Sequence, residues 1–291
     1  MILVKVFITG GTGFIGKEIT KILNKENQHE CFILTRKSRE DNGNVHYVTG
    51  DIRNGEDIDN IMAEIRPDVL VHLAWNVEED NYADSLENDK WVSYTIDIVE
   101  SFFRHGGHKV VGAGTCFEYD LTGNKPRRED DKCFPATRYG RAKLECYELL
   151  KKLCKEYKAD FIWGRIFYPY GKGELSRKFI SWAREKIMLQ QKFYCNTPEN
   201  CIDYIHVSDV AYYFVKFICD DRISGIVNVC SGKGIKIRSI LELLMEKCGK
   251  KCEVEYKEQK SPLVIVGDTE RIEKYKLKCL VDIESGIEAY N

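Results

Sequence analysis

Tyr139 and Lys143 stand four residues apart in ATRYGRAK. On a helix this places them on one face, where a phenol beside an ammonium could deliver a proton to a carbonyl oxygen. An ammonium so close would lower the pKa of the phenol. Spacing alone does not select the pair, because Tyr-x-x-x-Lys also starts at Tyr147, Tyr168, Tyr212 and Tyr256. The elements around each match must make the choice.

The first forty residues supply the clearest of those elements. ILVKVFITG is a β-branched apolar run that reads as a buried parallel strand. It enters GGTGFIG and then KEITKILNKEN, where Ile15, Ile19, Ile22 and Leu23 recur at helical spacing. Gly10, Gly13 and Gly16 therefore lie in a strand–turn–helix unit. Such a turn bends tightly at the first glycine, admits a pyrophosphate at the second, and lets helix and strand pack at the third. Phosphate oxygens would meet backbone N–H groups at the helix N-terminus. Gly10, Thr12, Gly13, Phe14, Ile15 and Gly16 are the expected cofactor contacts. The next strand, ECFILTR, ends in Thr35 and Arg36, with Lys37 and Arg39 following and no carboxylate for a ribose 2′-hydroxyl. Guanidinium groups suit a 2′-phosphate, so NADP(H) is favoured over NAD(H).

Strand and helix patterns keep alternating. NVHYVTGDI, PDVLVHLAW, HKVVGAGT and DFIWGRIF read as strands, with helices near 84–105 and 138–157. This predicts an α/β fold, a doubly wound parallel sheet of Rossmann type, with ligands beyond the carboxyl ends of the strands. Asp51, Ile52, Leu73, Ala74, Thr115 and Arg165 fall at those ends. After Tyr168 the alternation weakens and charged helical segments such as ELSRKFISWAREKIMLQQ appear. Residues 1–167 are read as the dinucleotide-binding domain and 168–291 as a smaller C-terminal substrate-binding lobe, with a segment near 201–230 returning to the sheet.

Composition narrows the function classes. The 291 residues carry a net charge of −2, too balanced to attract nucleic acid. Twelve cysteines at irregular spacing, without any Cys-x-x-Cys, argue for packed thiols over a zinc site or a disulfide scaffold. No metal is expected. No signal peptide or apolar run long enough to span a bilayer is visible, which points to a cytoplasmic protein without a membrane partner.

Taken in order, TGGTGFIG, DI at 51–52, HLAW, GTCFEY, YGRAK, GRIFYPYG and DYIHVSDVA resemble the extended short-chain dehydrogenase/reductases that act on nucleotide-linked sugars. The resemblance implies that Asp51 and Ile52 lie by the adenine and that Thr115, Tyr139 and Lys143 form a catalytic trio. Only Tyr139 follows a strand ending in Gly-Thr and opens a helix leading to another strand. In ketone reduction Tyr139 would donate the proton, Thr115 would hydrogen-bond the same oxygen, and Lys143 would hold the nicotinamide ribose.

Family dehydratases carry an Asp-Glu pair where this chain has Cys116 and Phe117, so dehydration is disfavoured. The Thr35-Arg36 strand end and the HLAW and AGTCFEYD variants favour an NADPH-dependent 4-ketoreductase for a nucleotide-linked 6-deoxysugar. The alternatives are an NAD-dependent 4-epimerase and a dinucleotide-binding regulatory or scaffold protein. Two positions depart from the family pattern. Tyr168 replaces an asparagine, and Ile202 replaces an arginine expected on the substrate diphosphate. Arg177, Lys178 or Arg271 would have to take over, beside Trp75, Thr115, Cys116 and Tyr168 as further substrate contacts. The resemblance also implies a homodimer through the two helices, with Trp91, Tyr94, Ile98 and Leu149 as candidate interface residues.

Overall fold

The computed structural model describes residues 4–77 and 81–290; Ile2 and Leu3, the start of the predicted first strand, lie outside them. The first half runs β1 (Val4–Thr9), α1 (Phe14–Glu26), β2 (His29–Thr35), β3 (Val45–Thr49), α2 (Gly55–Ile65), β4 (Val69–His72), α3 (Glu87–Arg104), β5 (Lys109–Thr115), α4 (Arg138–Glu156) and β6 (Asp160–Ile166). The second continues with β7 (Tyr168–Tyr170), α5 (Phe179–Met188), β8 (Phe193–Cys195), β9 (Cys201–His206), α6 (Val207–Cys219) and β10 (Gly225–Val229). It closes with β11 (Gly234–Lys236), α7 (Ile237–Cys248), β12 (Val254–Tyr256), β13 (Val264–Ile265), α8 (Glu270–Lys274) and α9 (Ile283–Glu288).

Among the described residues, seven strands form one parallel sheet in the order β10-β6-β5-β4-β1-β2-β3. Strand order reverses between β1 and β4, and ligands of open α/β sheets bind outside that point. Both faces are covered. Val6 and Ile8 point into a core with Ile19 and Leu23 of α1 and Phe214 and Phe217 of α6. Phe7, between them, joins the opposite core with Met62 of α2, Phe102 of α3 and Leu150 of α4. That two-residue alternation makes the strands apolar throughout, and every residue of β4 and β5 is buried.

The segment near 201–230, expected to return to the sheet, does so only in its last part. Only β10 joins the large sheet. β9 pairs instead with β11, β13 and β7 in a small separate sheet, over a core of Ile180, Ile187, Ile240 and Leu244. Strands β3 and β4 also stop short, at Thr49 and His72. The residues that follow them leave the ladder and floor the cleft.

Ile98, one of the candidate interface residues, is fully buried within the core below α3, so it is unavailable to a partner. The cysteines are free, and among the described residues no three His, Cys, Asp or Glu side chains gather as a metal site. No described helix is long and apolar enough to cross a membrane.

Candidate active site

The turn between β1 and α1 requires glycine at two positions for different reasons. Gly10 has φ +70°, and a Cβ there would lie 2.8 Å from the Ala74 nitrogen. A Cβ on Gly16 would lie 2.2 Å from the Gly10 carbonyl oxygen, so α1 could not approach the turn. Gly13 is the N-cap of α1 and offers no side chain to the first helical N–H groups. Those donors remain for an anion. Thr9 fixes the opposite wall: its hydroxyl accepts from the Ala74 N–H at 3.2 Å and pairs with His72 Nδ1 at 2.9 Å. Burial pulls His72 down to about 3, so it stays neutral between Thr9 and Thr95.

Two cavities open from this turn and share Gly10, Gly13, Ala74 and Trp75. The smaller, of about 280 Å³, collects Thr12, Thr35, Arg36, Asp51 and Ile52, and adds Arg53, Glu87 and Trp91. Lys37 and Arg39 do not line it. The Thr35 hydroxyl turns into its own loop, donating to the Lys37 carbonyl at 3.1 Å. Asp51 accepts from Arg53 Nη2 at 2.5 Å and Nε at 3.0 Å, and this hydrogen bonding holds its carboxyl below the usual range.

The larger cavity, of about 450 Å³, brings together Gly10, Gly13, Phe14, Ile15, Gly16, Leu73, Ala74, Trp75, Thr115, Cys116, Tyr139, Lys143, Tyr168 and Arg177. Residues distant in sequence meet here because α4 seats against the turn after β5. Thr137 caps α4 by accepting from the Gly140 N–H at 3.1 Å, and a Cβ on Gly140 would lie 2.3 Å from the Phe117 carbonyl oxygen. That close approach sets Tyr139 beside Thr115 in the cavity wall. The Lys143 ammonium donates to the Ala113 carbonyl at 2.9 Å and stands 3.9 Å from the centre of the Trp75 ring.

The expected lowering of the Tyr139 pKa is corrected here. Burial pushes the phenol up, reinforced by Tyr82 and partly opposed by the Thr115 side chain beside it. Burial also pulls Lys143 down to about 8. Both groups are drawn out of water, and desolvation favours the neutral form of each. The Cys116 thiol is likewise raised by burial, so it remains protonated packing.

Comparison with known proteins decides the family. The model of the NAD dependent epimerase/dehydratase family matches residues 6–230. The chain belongs to that family. It is 23% identical to a UDP-glucose 4-epimerase of Halalkalibacterium halodurans, over 91% of this chain and 87% of the relative. It is 24% identical to a dTDP-4-dehydro-6-deoxyglucose reductase of Escherichia coli, over 87% of this chain and 84% of the relative. A Thermus thermophilus UDP-glucose 4-epimerase solved in complex with NAD shares the fold, with a TM-score of 0.83 and 20% identity over 99% of this chain and 97% of that one.

Within this epimerase/dehydratase chain, the five Tyr-x-x-x-Lys pairs separate clearly. Only Tyr139 and Lys143 both line the large cavity. Lys151 and Lys216 instead lie over their own partners, Tyr147 and Tyr212. Of the three cations considered for the missing arginine at Ile202, Arg177 and Lys178 line the cavity and Arg271 does not. Arg271 donates to the Ile226 carbonyl at 2.9 Å and faces Glu129 at 3.8 Å. It holds the edge of β10, where an unpaired carbonyl needs a donor, and is withdrawn as a substrate contact. Several lining residues are not singled out by the sequence patterns: Arg53, Tyr82, Glu174 and Tyr204. For Arg53 there was a signal, its place directly after the DI pair. Tyr82, in a loop of no regular pattern, gave none.

Proposed function

We propose that this protein is an NADPH-dependent reductase of a 4-keto group on a nucleoside-diphosphate-linked 6-deoxysugar. The observation that carries the reading is the convergence of Thr115, Tyr139 and Lys143 on one cavity with the glycine turn, followed by a protonated thiol and a phenyl ring at 116 and 117. A hydroxyl, a phenol and an ammonium serve carbonyl reduction, whereas a thiol of raised pKa and a phenyl group supply no acid–base pair for dehydration.

The uncapped N-terminus of α1 and the small residues of the turn fit a dinucleotide pyrophosphate. Leu73 and Ala74 floor its path, while Thr35, Arg36, Asp51 and Ile52 take the adenosine end. The bound nicotinamide supplies hydride. Tyr139 gives its proton to the carbonyl oxygen, and its raised pKa keeps that proton in place at neutral pH until it is needed. Thr115 donates to the same oxygen and fixes the carbonyl plane. Lys143, anchored by the Ala113 carbonyl and Trp75, presents its ammonium to the ribose hydroxyls.

The rest of the pocket suits the proposed substrate. Aromatic side chains surround the trio: Phe117 is 6.4 Å from Tyr139 and 5.7 Å from Tyr168 between ring centres, and Tyr204 lies 5.8 Å from Tyr168. Such walls favour the apolar face and methyl group of a 6-deoxysugar. Arg177, which also donates to the Val77 carbonyl, and Lys178, which donates to the Tyr82 hydroxyl at 3.3 Å, are the cations lining the cavity that would meet the diphosphate in place of Ile202. The dinucleotide half and the substrate lobe divide near residue 167, and the exposed faces of α3 and α4 are assigned to a homodimer, checked by sedimentation.

A second reading, 4-epimerisation with retained NAD, is favoured by the names of the relatives and by the NAD complex of the Thermus thermophilus protein. Stoichiometry separates the two, because an epimerase returns its hydride and consumes no net cofactor. The purified protein is given a nucleotide-linked 4-keto-6-deoxysugar with NADPH or NADH and, separately, UDP-glucose without added cofactor. The reductase reading expects one NADPH oxidised per sugar and no interconversion of UDP-glucose. Interconversion to UDP-galactose without cofactor turnover replaces it with the epimerase.

A further inference from the structure

Immediately behind the reacting wall lies a carboxylate that the chemistry above does not use. Glu118 is fully buried at the end of a 3₁₀ turn, Cys116–Glu118. Its Oε1 accepts from the Thr115 N–H at 2.8 Å, both oxygens accept from the Trp163 indole N–H at 3.0 and 3.1 Å, and Oε2 accepts from Arg165 Nε at 2.7 Å. The Thr115 hydroxyl reciprocates by accepting from the Phe117 N–H at 3.3 Å, which closes a capping box across the turn. Gly114 leaves the space for this arrangement. A Cβ there would lie 2.2 Å from Trp163 Nε1 and 2.5 Å from Glu118 Oε1. Arg165, itself buried, lies over the Tyr119 ring at 4.4 Å.

A buried ion pair is a poor way to stabilise a core, since well-packed apolar residues of the same volume generally do as well. Its position supplies another reason for it. We propose that Glu118, backed by Trp163 and Arg165, is a positioning residue: its carboxylate holds the Thr115 backbone N–H, and with it the turn that presents the Thr115 hydroxyl, and stands behind the stretch of β5 on which the Lys143 ammonium is anchored. The groups facing that ammonium are Tyr139 and Cys146 on α4, His72 at the end of β4, Trp75 after it, the Ala113 carbonyl on β5, and Glu118 from the turn. Of these, His72 is neutral and the phenol and thiol are protonated by burial. Burial lowers Lys143, and Cys146 and then Glu118 oppose that lowering.

The inference rests on the Thr115–Tyr139–Lys143 reading, and its test includes a measurement that needs no sugar. Glu118→Gln keeps volume and an acceptor but removes the charge. The expected result is a kcat lower by about 10- to 100-fold, from a misplaced hydroxyl, with KM little changed. The alkaline limbs of kcat/KM and of NADPH affinity should both move to lower pH. Trp163→Phe removes one donor without touching charge, and should lower kcat a few-fold while leaving the limbs in place. An unchanged kcat and unchanged limbs in Glu118→Gln would overturn the proposal, as would equal losses in kcat, KM and melting temperature in both variants. Should Glu118→Gln fail to fold, Trp163→Phe decides: an unaltered kcat overturns the positioning role. If the wild type reduces no sugar, the function is misassigned, but the shifted limb of NADPH affinity still reports on Glu118.

Discussion

The two halves of the cleft recognise in different currencies. The dinucleotide half presents backbone: the Gly10–Gly16 turn, the open N-terminus of α1, and the chain leaving β4 at Leu73 and Ala74. The substrate half presents side chains contributed by remote segments, among them Trp75, Tyr82, Phe117, Tyr168, Arg177 and Tyr204. Backbone donors serve any pyrophosphate and tolerate drift in the surrounding sequence. Aromatic walls and cations can be exchanged one at a time, so substrate choice is open to change while the cradle persists. The halves meet at Thr115, Tyr139 and Lys143.

The severest way to break that meeting point is Tyr139→Phe. It should lower kcat by about 10²- to 10⁴-fold, the usual worth of a positioned proton donor. Dinucleotide affinity should stay within a few-fold, because the cradle is untouched. Stopped-flow hydride transfer together with a binding titration checks both halves of the statement; full activity would remove the phenol from the chemistry. Arg36→Ala probes the cradle's one side-chain-dependent corner. A guanidinium on a 2′-phosphate is a charge-assisted contact, so NADPH should weaken by about 10- to 100-fold while NADH changes little. Equal losses for the two cofactors would contradict the phosphate assignment and strengthen the NAD-based reading.

These two regions also differ in how far the sequence reveals them, and for the same physical reason. In the dinucleotide half, local chemistry is written in contiguous runs: an apolar strand, glycines where φ or a close approach demands them, then an amphipathic helix. Gly10 lies in the turn after β1, Gly16 packs against it from α1, and Arg36 and Ile52 line the smaller cavity. In the substrate half, proximity is made by tertiary packing. Arg177 and Arg271 look equivalent in the sequence, yet one lines the cavity and the other braces the edge of β10. The reversed pKa of Tyr139 has a related cause. Spacing reports the ammonium next door but not the depth to which both groups are buried.

A gentler probe is pH. Lys143 is held near 8 by burial, below its ordinary value of 10.5, so its ammonium is present below about pH 8 and is lost as pH rises through it. Dinucleotide affinity and kcat/KM should therefore fall along an alkaline limb near pH 8. The sign for folding is opposite: the unfolded chain holds that proton up to about 10.5, so neutral Lys143 favours the folded state between the two values. An activity limb set by Lys143 should thus appear without matching loss of stability, which thermal unfolding at pH 7.5 and 9 will show. Coincident loss of both would assign the limb to unfolding.

The smallest effect belongs to Arg271→Ala, and it sharpens the contrast because its neighbour in the argument, Arg177, should behave differently. On the outer side of edge strand β10 the Ile226 carbonyl is taken by Arg271 at 2.9 Å and the Asn228 N–H by Glu129 at 2.9 Å. Arg271 therefore satisfies a strand edge rather than a ligand. Its ion pair with Glu129 is loose and its own side chain is 41% exposed, so the pair adds little. Losing one hydrogen bond should cost about 1 kcal/mol, a fall of roughly 2–4 °C in melting temperature. KM for the sugar nucleotide should remain within about twofold, whereas Arg177→Ala, at the cavity wall, should raise KM by about tenfold through a lost charge-assisted contact. If instead Arg271→Ala raises KM and Arg177→Ala does not, the substrate diphosphate lies on the other side of the lobe, and the orientation of the sugar in the cleft must be reversed.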